Sequence, residues 1–416
     1  MAELSFPRLG TPHVTIAFFA RERVRKRLAG LTAGRLEVTD PWGSWSAGIG
    51  AAPATMLDVR HPNFYTTLAT QGSLGICRAY FFGWWRSSTL VDLFRLFIRN
   101  AALADQFETG GAAIGQWMAR WQDHRSANTP SGSRRNIHAH YDLGNDFFAL
   151  FLDKTMMYSA GIFERAEASM FEASEAKLDR ICRKLDLQPA DHVVEIGTGW
   201  GGFAIHAASH YGCQVTTTTI SQAQYEEAIH RIRQAGLSDK ITVVLKDYRD
   251  LEGRFDKLVS IEMVEAVGHK FLPVYYSACA DLLTDTGAML IQAITMPDQR
   301  YDQYLKSSDF IRRYIFPGSC VPSMQALTGA AATTDLKLIH SEDIGLHYAE
   351  TLRRWREKFV DNEDQVIALG YPRHFIRKWL LYLAYCEAGF EERYLGDQQL
   401  LYVKPRSPLA TPLAQL

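Results

Sequence analysis

The sequence contains few cysteines, and none is placed for metal binding or disulfide pairing. Six cysteines are scattered over 416 residues without a single Cys-x-x-Cys pair. This distribution argues against a structural zinc site and a disulfide framework, and it favours a reducing compartment. Internal repeats and low-complexity segments are absent as well, so an ordinary globular protein is expected.

Targeting and charge signals are also missing. The chain shows no N-terminal secretory pattern and no apolar run of membrane-spanning length, so we expect a cytoplasmic protein. Lys and Arg total 45 against 46 for Asp and Glu, so no net basic charge draws the chain to nucleic acid. Hydrophobic residues make up 47% and charged residues 22%, which is ample material for a core, and the length predicts two domains.

Glycine is concentrated in one stretch, residues 192–203, which reads HVVEIGTGWGGF. The apolar residues at its start are typical of a buried parallel strand. The four glycines that follow predict a tight turn in which the backbone can approach a ligand closely. Residues 203–208 then have helical spacing. Strand, glycine turn and helix form the first half of a nucleotide-type α/β site.

Three interpretations of this turn compete: a dinucleotide, S-adenosylmethionine, or no ligand. Glu195 precedes the glycines, where its charge opposes the pyrophosphate of NAD and suits an ammonium and a sulfonium group. The acid expected for the ribose of NAD about 20 residues on is missing, because residues 215–219 read VTTTT. A turn without a ligand is disfavoured, because its glycines cost conformational entropy. We therefore predict an S-adenosylmethionine site that includes Glu195, Gly197, Gly199 and Trp200.

Residues 126–135, SANTPSGSRR, have the composition of a linker. We predict a smaller α+β domain at 1–125 and a catalytic domain at 136–416. In the second domain strands alternate with helices, which predicts an α/β fold of the class I methyltransferase type with a doubly wound, mostly parallel sheet. Strands are predicted at 193–196, 214–220, 241–245, 256–262 and 288–294, helices at 171–185, 222–235 and 275–283, a helical region at 349–389 and an edge strand at 399–403.

The first domain carries two patterns of interest. Residues 90–102 have a wide apolar face at helical spacing, which predicts a core helix, with a helix lying on a membrane as the alternative. A basic cluster lies beside Phe18 and Phe19, and we interpret it as a solvated face, with contact to lipid headgroups as the alternative. The cluster consists of Arg21, Arg23, Arg25, Lys26 and Arg27.

Polar residues follow the predicted strands, at the edge where ligands of parallel sheets collect. Asp247 can accept a hydrogen bond from an adenine amine, and Tyr248 can cover the ring. Thr219 and Gln224 are candidates for the ribose hydroxyls or the methionine tail. Glu265 is the candidate general base, and Glu262, three residues earlier, is its rival. An acid that merely complements a helix dipole is the alternative for both.

Aromatic residues are frequent around the predicted cleft, and together they suit a greasy tunnel whose ring faces stabilise a cation. No metal is expected, because His138 and His140 lack a Cys or acidic partner at ligand spacing. The aromatic residues are Tyr141, Phe147, Phe148, Tyr158, Trp200, Tyr314, Phe316 and Tyr348.

Together these segments resemble the cyclopropane-fatty-acyl-phospholipid synthases, the mycolic acid cyclopropane synthases and related lipid methyltransferases. The resemblance covers residue 136 to the end, and on fewer features the N-terminal part resembles the lipid-binding domain of longer members. The matching segments are HAHYDLGNDFFALFLDKTMMYS (138–159), VVEIGTGWGG (193–202), TISQAQ (219–224), SIEMVEAVG (260–268), YIFPGSCVPS (314–323) and YCEAGF (385–390).

The resemblance implies methyl transfer from S-adenosylmethionine to a cis double bond of a phospholipid acyl chain at the inner face of the cytoplasmic membrane. Loss of a proton to a bound bicarbonate then closes a cyclopropane ring. The implied bicarbonate pocket consists of Glu265, Tyr348 and the backbone near Ala160 and Ile294. The implied cofactor site consists of Tyr141, Gly197, Gly199, Thr219, Gln224 and the Asp247–Tyr248 step.

Two positions depart from the family pattern. Ala160 stands where the synthases commonly have a cysteine, and Gln292 where they commonly have a histidine. The Ala160 N–H and the Gln292 amide can still contact an anion, so ring closure is the first expectation. A methyl- or methylene-branched product is the alternative, and an inactive lipid-binding relative is a third reading. A homodimer is one option that the sequence leaves open.

Overall fold

The computed structural model describes residues 12–50, 54–109 and 143–410. The chain forms two compact units, and neither is contiguous in sequence. The first unit comprises residues 1–124, 306–314 and 359–394, and the second comprises residues 125–305, 315–358 and 395–416. None of the described helices combines the length and the apolar character needed to cross a membrane.

The second unit is built on a seven-stranded sheet. Its helices are α5 (Asn145–Ala149), α6 (Met170–Lys184), α7 (Gly202–His210), α8 (Gln222–Gln234), α9 (Leu272–Leu282), α10 (Asp298–Leu305), α12 (Met324–Ala331) and most of α13 (Gly345–Asp361). Its strands are β5 (His192–Ile196), β6 (Gln214–Thr219), β7 (Ile241–Leu245), β8 (Phe255–Ile261), β9 (Leu283–Thr295), β10 (Lys337–Asp343) and β11 (Gly396–Val403).

The strand order is β10-β11-β9-β8-β5-β6-β7. The five strands from β9 to β7 are parallel, and β11 is antiparallel to both of its neighbours. The mostly parallel α/β fold predicted from the sequence is therefore confirmed. Because the chain order reverses between β5 and β8, the carboxyl ends of these two strands flank a topological switch point, where ligands of such sheets bind.

Both faces of the sheet are covered, as a parallel sheet requires. Val193 packs in a buried cluster with Leu178 on α6 and Phe203 on α7. The next residue, Val194, packs in a cluster on the opposite face with Tyr275 on α9. This alternation explains why the strand reads as a continuous apolar run rather than as an amphipathic one.

The prediction that 399–403 forms an edge strand is wrong. β11 lies between β9 and β10, and Leu400, Leu401 and Tyr402 on it are fully buried. With β7 at the opposite edge, the strand at this edge of the described sheet is β10, which was not predicted from the sequence. Its sequence, KLIHSED, contains no run of apolar residues and is only partly buried, so it gives no strand signal of the usual kind.

The first unit is an α+β arrangement. Its elements are α1 (Pro12–Leu28), β1 (Gly34–Asp40), β2 (Gly43–Ile49), β3 (Thr55–Val59), α2 (Asn63–Phe81), β4 (Trp85–Arg86), α3 (Leu90–Arg99), α4 (Ala101–Asp105), α11 (Phe310–Tyr314), α14 (Glu363–Ala368) and α15 (Arg373–Glu391). Its sheet has the order β2-β1-β3-β4.

The first unit differs from the predicted N-terminal domain in its membership. Segments 306–314 and 359–394, predicted to lie in the catalytic domain, belong to it. Arg95 and Arg99 on α3 bind Glu392, which follows α15, at 2.7 and 2.6 Å. The ring of Phe94 packs edge-on against Tyr385 at 5.4 Å. Contacts between residues almost 300 positions apart leave no local signal in the sequence.

The helix predicted at 90–102 is interrupted at Asn100. The Asn100 amide donates to the carbonyl oxygens of Ala33 and Leu96, and its Oδ1 accepts from the backbone N–H of Thr32. An asparagine side chain that bonds to the backbone in this way competes with helix continuation. The apolar face of α3 is buried through Leu93 and Leu96, as a core helix requires.

The basic cluster lies on α1, and Arg21 does not face solvent. Its guanidinium binds Asp40 at 2.6 Å and is nearly fully buried, and Asp40 also accepts hydrogen bonds from Tyr65 and Trp45. The prediction that this cluster is a solvated face is therefore wrong for Arg21. Arg23 and Lys26 are exposed.

Candidate active site

The predicted glycine turn follows β5 as expected. Gly197, Gly199 and Gly201 all have positive φ angles, of 102°, 53° and 85°, which favour glycine over other residues. A Cβ atom on Gly199 would meet no atom of the described residues within 4 Å, whereas one on Gly197 would meet Met263 at 3.2 Å. The backbone at Gly199 therefore borders open space, and a bound ligand can approach it closely.

Glu195, at the end of β5, is buried, and its carboxyl accepts a hydrogen bond from the Thr217 hydroxyl on the paired strand at 2.6 Å. Burial raises the pKa of Glu195 to about 8, although the Thr217 hydrogen bond and the Lys177 charge act in the opposite direction. Such a pKa favours the neutral acid at pH 7, in contrast to the charged group assumed from the sequence. A cation bound beside it would restore the ionised form.

Thr219 and Gln224 lie together at the carboxyl edge of the sheet. The Thr219 hydroxyl, at the end of β6, donates to Gln224 Oε1 on the first turn of α8 at 2.9 Å. Both side chains are buried. The structure thus brings these two predicted cofactor-binding residues into one polar group, and their roles toward ribose or the methionine tail stay predictions.

Asp247 follows β7 and is buried, but an arginine already binds it. Arg249 donates to both Asp247 carboxyl oxygens at 2.8 and 2.7 Å. A carboxylate has further acceptor sites, so the predicted bond to an adenine amine is compatible with this ion pair. The ring of Tyr248 packs edge-on against Tyr275 at 5.3 Å, which holds it at the edge of the core.

Trp200 belongs to the turn but is turned into the protein. It is buried, its indole N–H donates to Asn145 Oδ1 at 2.7 Å, and its ring lies 5.1 Å from that of Phe148. These contacts anchor the turn to α5. Tyr141, another predicted cofactor residue, lies outside the described residues.

Glu262, the rival of Glu265 in the sequence, is the centre of the predicted anion pocket. Its Oε1 accepts from the backbone N–H of Ala160 and from the Gln292 amide, both at 2.8 Å. Its Oε2 accepts from the Tyr348 hydroxyl at 2.7 Å. Burial raises the pKa of Glu262, and these three hydrogen bonds act against that shift. The groups assigned to bicarbonate from the sequence therefore bind a carboxylate of the protein itself.

Glu265 lies on the single 3₁₀ turn Val264–Ala266, just after β8. Its Oε1 accepts from the backbone N–H of Ile294 at 2.5 Å. Its Oε2 is buried and has no hydrogen-bond partner among the residues that the structure describes. Burial, followed by the neighbouring charge of Glu262, raises the pKa of Glu265 to about 8. An acceptor oxygen without a partner is available to a ligand.

The site contains further charged groups that the sequence analysis missed. Asp397 on β11 accepts from the Gln292 amide at 2.9 Å, and Gln399 donates to the other end of that amide at 3.1 Å. Lys177 on α6 is fully buried and donates to the Ser159 hydroxyl at 2.8 Å. Burial lowers the pKa of Lys177 to about 8, while the surrounding acids oppose this shift.

The sequence contains a partial signal for Lys177 but none for Asp397. Lys177 and Lys184 are seven residues apart on α6, which places them on one face of the helix, and both are buried. Asp397 pairs with Ile294 across β11 and β9. Only the correct strand order reveals that pairing.

Aromatic rings form a wall beside the acids. Tyr158 stacks on Trp355 at 5.3 Å and contacts Phe148 at 5.2 Å and Phe316 at 6.4 Å. Tyr348 meets Trp355 edge-on at 6.2 Å. Phe147 contacts Phe148 at 5.4 Å. The structure thus gathers most of the predicted aromatic residues in the second unit.

One predicted member of the tunnel is not part of this wall. Tyr314 belongs to the first unit, where its ring packs edge-on against Phe81 at 5.3 Å. Its sequence position between two segments of the second unit suggested otherwise.

The residues present do not fit a bound bicarbonate. The donors at Ala160, Gln292 and Tyr348 are bonded to Glu262, and the Ile294 N–H is bonded to Glu265. Two unit charges 4 Å apart repel by about 4 kcal/mol at an effective dielectric constant of 20, so an additional anion beside an ionised Glu262 is disfavoured. No reaction step is assigned to bicarbonate for this reason.

The residues at the glycine turn, in contrast, fit S-adenosylmethionine. Gly199 leaves open space for close approach, and the buried Glu195 suits a cationic ligand. Thr219 and Gln224 offer hydroxyl and amide groups at the same edge. The acid at Glu195 makes a phosphate beside it unfavourable.

Comparisons with known proteins place the chain in a family. The sequence model of the family described as "Mycolic acid cyclopropane synthetase" matches residues 129–400. The tuberculostearic acid methyltransferase UfaA1 of Mycobacterium tuberculosis is 35% identical over 94% of this chain and 93% of its own length. The cyclopropane-fatty-acyl-phospholipid synthase of Escherichia coli K12 is 34% identical over 85% of this chain and 88% of its own length.

A solved structure agrees with the sequence relatives. The crystal structure of the mycolic acid cyclopropane synthase CmaA1 complexed with SAH and CTAB is 30% identical, with a TM-score of 0.62. It is matched over 65% of this chain and 98% of that chain. The chain belongs to the mycolic acid cyclopropane synthetase family, a family of S-adenosylmethionine-dependent lipid methyltransferases.

Proposed function

We propose that this protein transfers the methyl group of S-adenosylmethionine to a cis double bond in the acyl chain of an unsaturated phospholipid, and that the methylated chain closes to a cyclopropane. The observation that carries the proposal is the juxtaposition of buried acids with an aromatic wall at the switch point of the sheet. When bound, S-adenosylmethionine supplies an electrophilic methyl group on a sulfonium sulfur.

The cofactor is held, in this proposal, by the residues along the carboxyl edge of the sheet. Gly199 allows close approach, and Thr219 with Gln224 binds the polar groups of the ribose or the amino acid part. Asp247 accepts from the adenine amine beside Tyr248. SAH, the demethylated form of this cofactor, is present in the CmaA1 structure, which supports the assignment.

Addition of a methyl cation to an alkene leaves positive charge on the neighbouring carbon. Aromatic faces stabilise a cation by about 0.5–2 kcal/mol each, and Tyr158, Trp355 and Phe148 supply such faces. The wall also excludes water, which would otherwise add to the cation and give an alcohol. Proton loss to a buried carboxylate then completes the reaction.

A second product is a methyl- or methylene-branched chain without a ring. The relative that supports it is the tuberculostearic acid methyltransferase, which matches 94% of this chain. Both products derive from one methylated cation. Loss of a proton from the new methyl group closes the ring, whereas a 1,2-hydride shift to the cationic carbon followed by loss of a methyl proton gives a methylene branch, and a saturated methyl branch needs a separate reductant to reduce that methylene. The same site can therefore serve either outcome.

Access to the lipid substrate requires contact with a membrane surface, and α1 offers a suitable one. Ile16 and Phe19 are 59% and 66% exposed, and Arg23 and Lys26 on the same helix are exposed as well. Apolar and basic side chains on one helix suit insertion among anionic headgroups. We place the protein at the inner face of the cytoplasmic membrane on this basis.

The test is an assay with vesicles of cis-unsaturated phospholipid and methyl-labelled S-adenosylmethionine, with lipid products identified by mass spectrometry and NMR. A cyclopropane gives upfield ring protons and no remaining alkene signal, whereas a methylene branch keeps an alkene signal. Vesicles of saturated phospholipid are the control. Cofactor binding without transfer to any unsaturated lipid would instead indicate an inactive lipid-binding relative.

A further inference from the structure

The carboxylate of Glu262 is held in the manner of a bound anion. Three donors from separate parts of the second unit converge on it: the Ala160 N–H, the Gln292 amide on β9 and the Tyr348 hydroxyl on α13. An ionised carboxylate is an acceptor without donors of its own, so this arrangement matches the charged form. Bicarbonate is also a planar monoanion with acceptor oxygens, and the same donors would suit it.

The backbone conformation at Glu262 indicates that the surrounding structure fixes the position of this residue. Its φ angle is 48°, in the left-handed region that disfavours residues other than glycine. Its backbone N–H donates to the Gln292 carbonyl oxygen at 2.8 Å. Strained backbone of this kind persists where surrounding contacts hold it, and it is frequent at functional sites. The strained turn directs the side chain toward the three donors.

For a chain that methylates a double bond as proposed above, we propose that Glu262 is the catalytic proton acceptor and that its carboxylate replaces bicarbonate in this protein. The reaction then needs no dissolved anion. Glu265 and Asp397 lie in the same buried group, and the ionised carboxylate of Glu262 makes an added anion unfavourable. The assignment concerns this chain, because it depends on a glutamate at position 262.

The proposed step balances within the enzyme–lipid complex. After methyl transfer the lipid carries one positive charge on carbon. A C–H bond of the new methyl group breaks, and its electron pair forms the third C–C bond of the ring, or a C=C bond if another proton is lost. The proton passes to the Glu262 carboxylate, which becomes a neutral acid. Burial favours that neutral form, and the proton leaves to solvent before the next turnover.

The first experiment compares the wild-type protein in buffer freed of carbon dioxide with the same protein supplied with bicarbonate. We expect equal turnover in both and no broadening of the NMR signal of isotope-labelled bicarbonate on adding the protein. A fall in turnover that bicarbonate reverses in a saturable manner, or specific binding of bicarbonate to the wild type, would overturn the inference.

The second experiment removes the side chain with Glu262→Gly, which relieves the positive φ angle and leaves three donors around a cavity of carboxylate size. We expect a loss in turnover of at least about 100-fold, the usual contribution of a positioned general base, with recovery on adding bicarbonate or formate. Labelled bicarbonate should bind this variant. Asp186→Gly is the matched control, since Asp186 also has a positive φ angle, of 50°, and lies outside the site.

Glu262→Ala serves as a second variant if the glycine variant does not fold. If neither folded variant binds bicarbonate, the three donors do not form an anion site and the inference is wrong. If wild-type protein methylates no lipid, the proposed function fails, and the binding measurements still decide whether Glu262 occupies a bicarbonate site.

Discussion

Removal of one hydrogen bond to Glu262 should change the pH dependence of the reaction. Tyr348→Phe deletes the hydroxyl that donates to Glu262 Oε2 at 2.7 Å and retains the ring beside Trp355. A hydrogen bond to a charged group contributes about 1.5–3 kcal/mol, so the ionised form of Glu262 should lose stabilisation of that order. The loss should therefore raise the pKa of Glu262 further. Because the base must be ionised, the rise of turnover with pH should move to higher pH.

The assay is the rate of methyl transfer to vesicles across a pH series, for the wild type and for Tyr348→Phe. Tyr276→Phe is the matched control, because it deletes a buried hydroxyl that contacts Tyr402 at 3.1 Å and no carboxyl group. A purely structural role of Tyr348 would lower the rate equally at all pH values. An unshifted profile would therefore refute the assignment of Glu262 as the proton acceptor.

Three further outcomes are expected. Glu265→Gln should reduce turnover by less than about 100-fold, the contribution of a general base, because Glu262 is the proposed proton acceptor, and the dissociation constant of S-adenosylmethionine, from calorimetry, should stay nearly unchanged; a loss of about 100-fold or more would assign the proton to Glu265 instead. Gly199→Val should weaken cofactor binding at least about 10-fold, equivalent to about 1.4 kcal/mol, because the new side chain fills the open space at the turn. Gly236→Val is the control, since Gly236 also has a positive φ angle and no described atom near its Cβ position, and it should leave cofactor binding unchanged. Since the pKa of Glu195 is raised from 4.5 to about 8 in the folded protein, its contribution to the free energy of unfolding is present below pH 4.5 and is lost as the pH rises to about 8. The Glu195→Gln variant cannot titrate at this position, so its free energy of unfolding should fall by up to about 4 kcal/mol less between pH 5 and pH 8 than that of the wild type. Urea titrations at the two pH values that give the same fall for both proteins would contradict this.

The burial of several acids together at the site lowers the stability of the fold. Burial raises the pKa values of Glu262, Glu265 and Asp397, so each disfavours its own ionised form. Lys177, also buried, favours the negative charge of Glu262 and Asp397. Such a group is a poor contributor to stability, and its retention is consistent with the handling of a cation and a proton.

Local patterns predicted much of the second unit. The glycine turn, the parallel strands and the capped helix α6, which begins with a capping box at Ser169 and Glu172, all follow from short-range periodicity and turn chemistry. The prediction was wrong where an element depends on distant partners. β11 reads as an edge strand because its neighbour β10 has no apolar run, and α15 was assigned to the catalytic half although its partners lie on α3.

The candidate site, like the fold, could be predicted from the sequence only in part. Glu265 was a candidate base from the sequence, and Tyr348, Ala160, Ile294 and Gln292 were candidates from the family resemblance. The structure brings these four around the carboxyls of Glu262 and Glu265. What the sequence left open was which acid receives the donors. Glu262 and Glu265 are three residues apart, and one reversal of the backbone, at the positive φ of Glu262, decides that Glu262 receives three of them.

The sequence by itself determined the class of fold, the glycine turn and the residue types at the carboxyl edge, because strand periodicity, glycine conformation and charge are local properties. Only the tertiary structure decided the sheet order, the membership of the two units and the partner of each donor. Those features depend on hydrogen bonds and packing between residues that are remote in the chain, such as Gln292 with Asp397, and no local pattern encodes them.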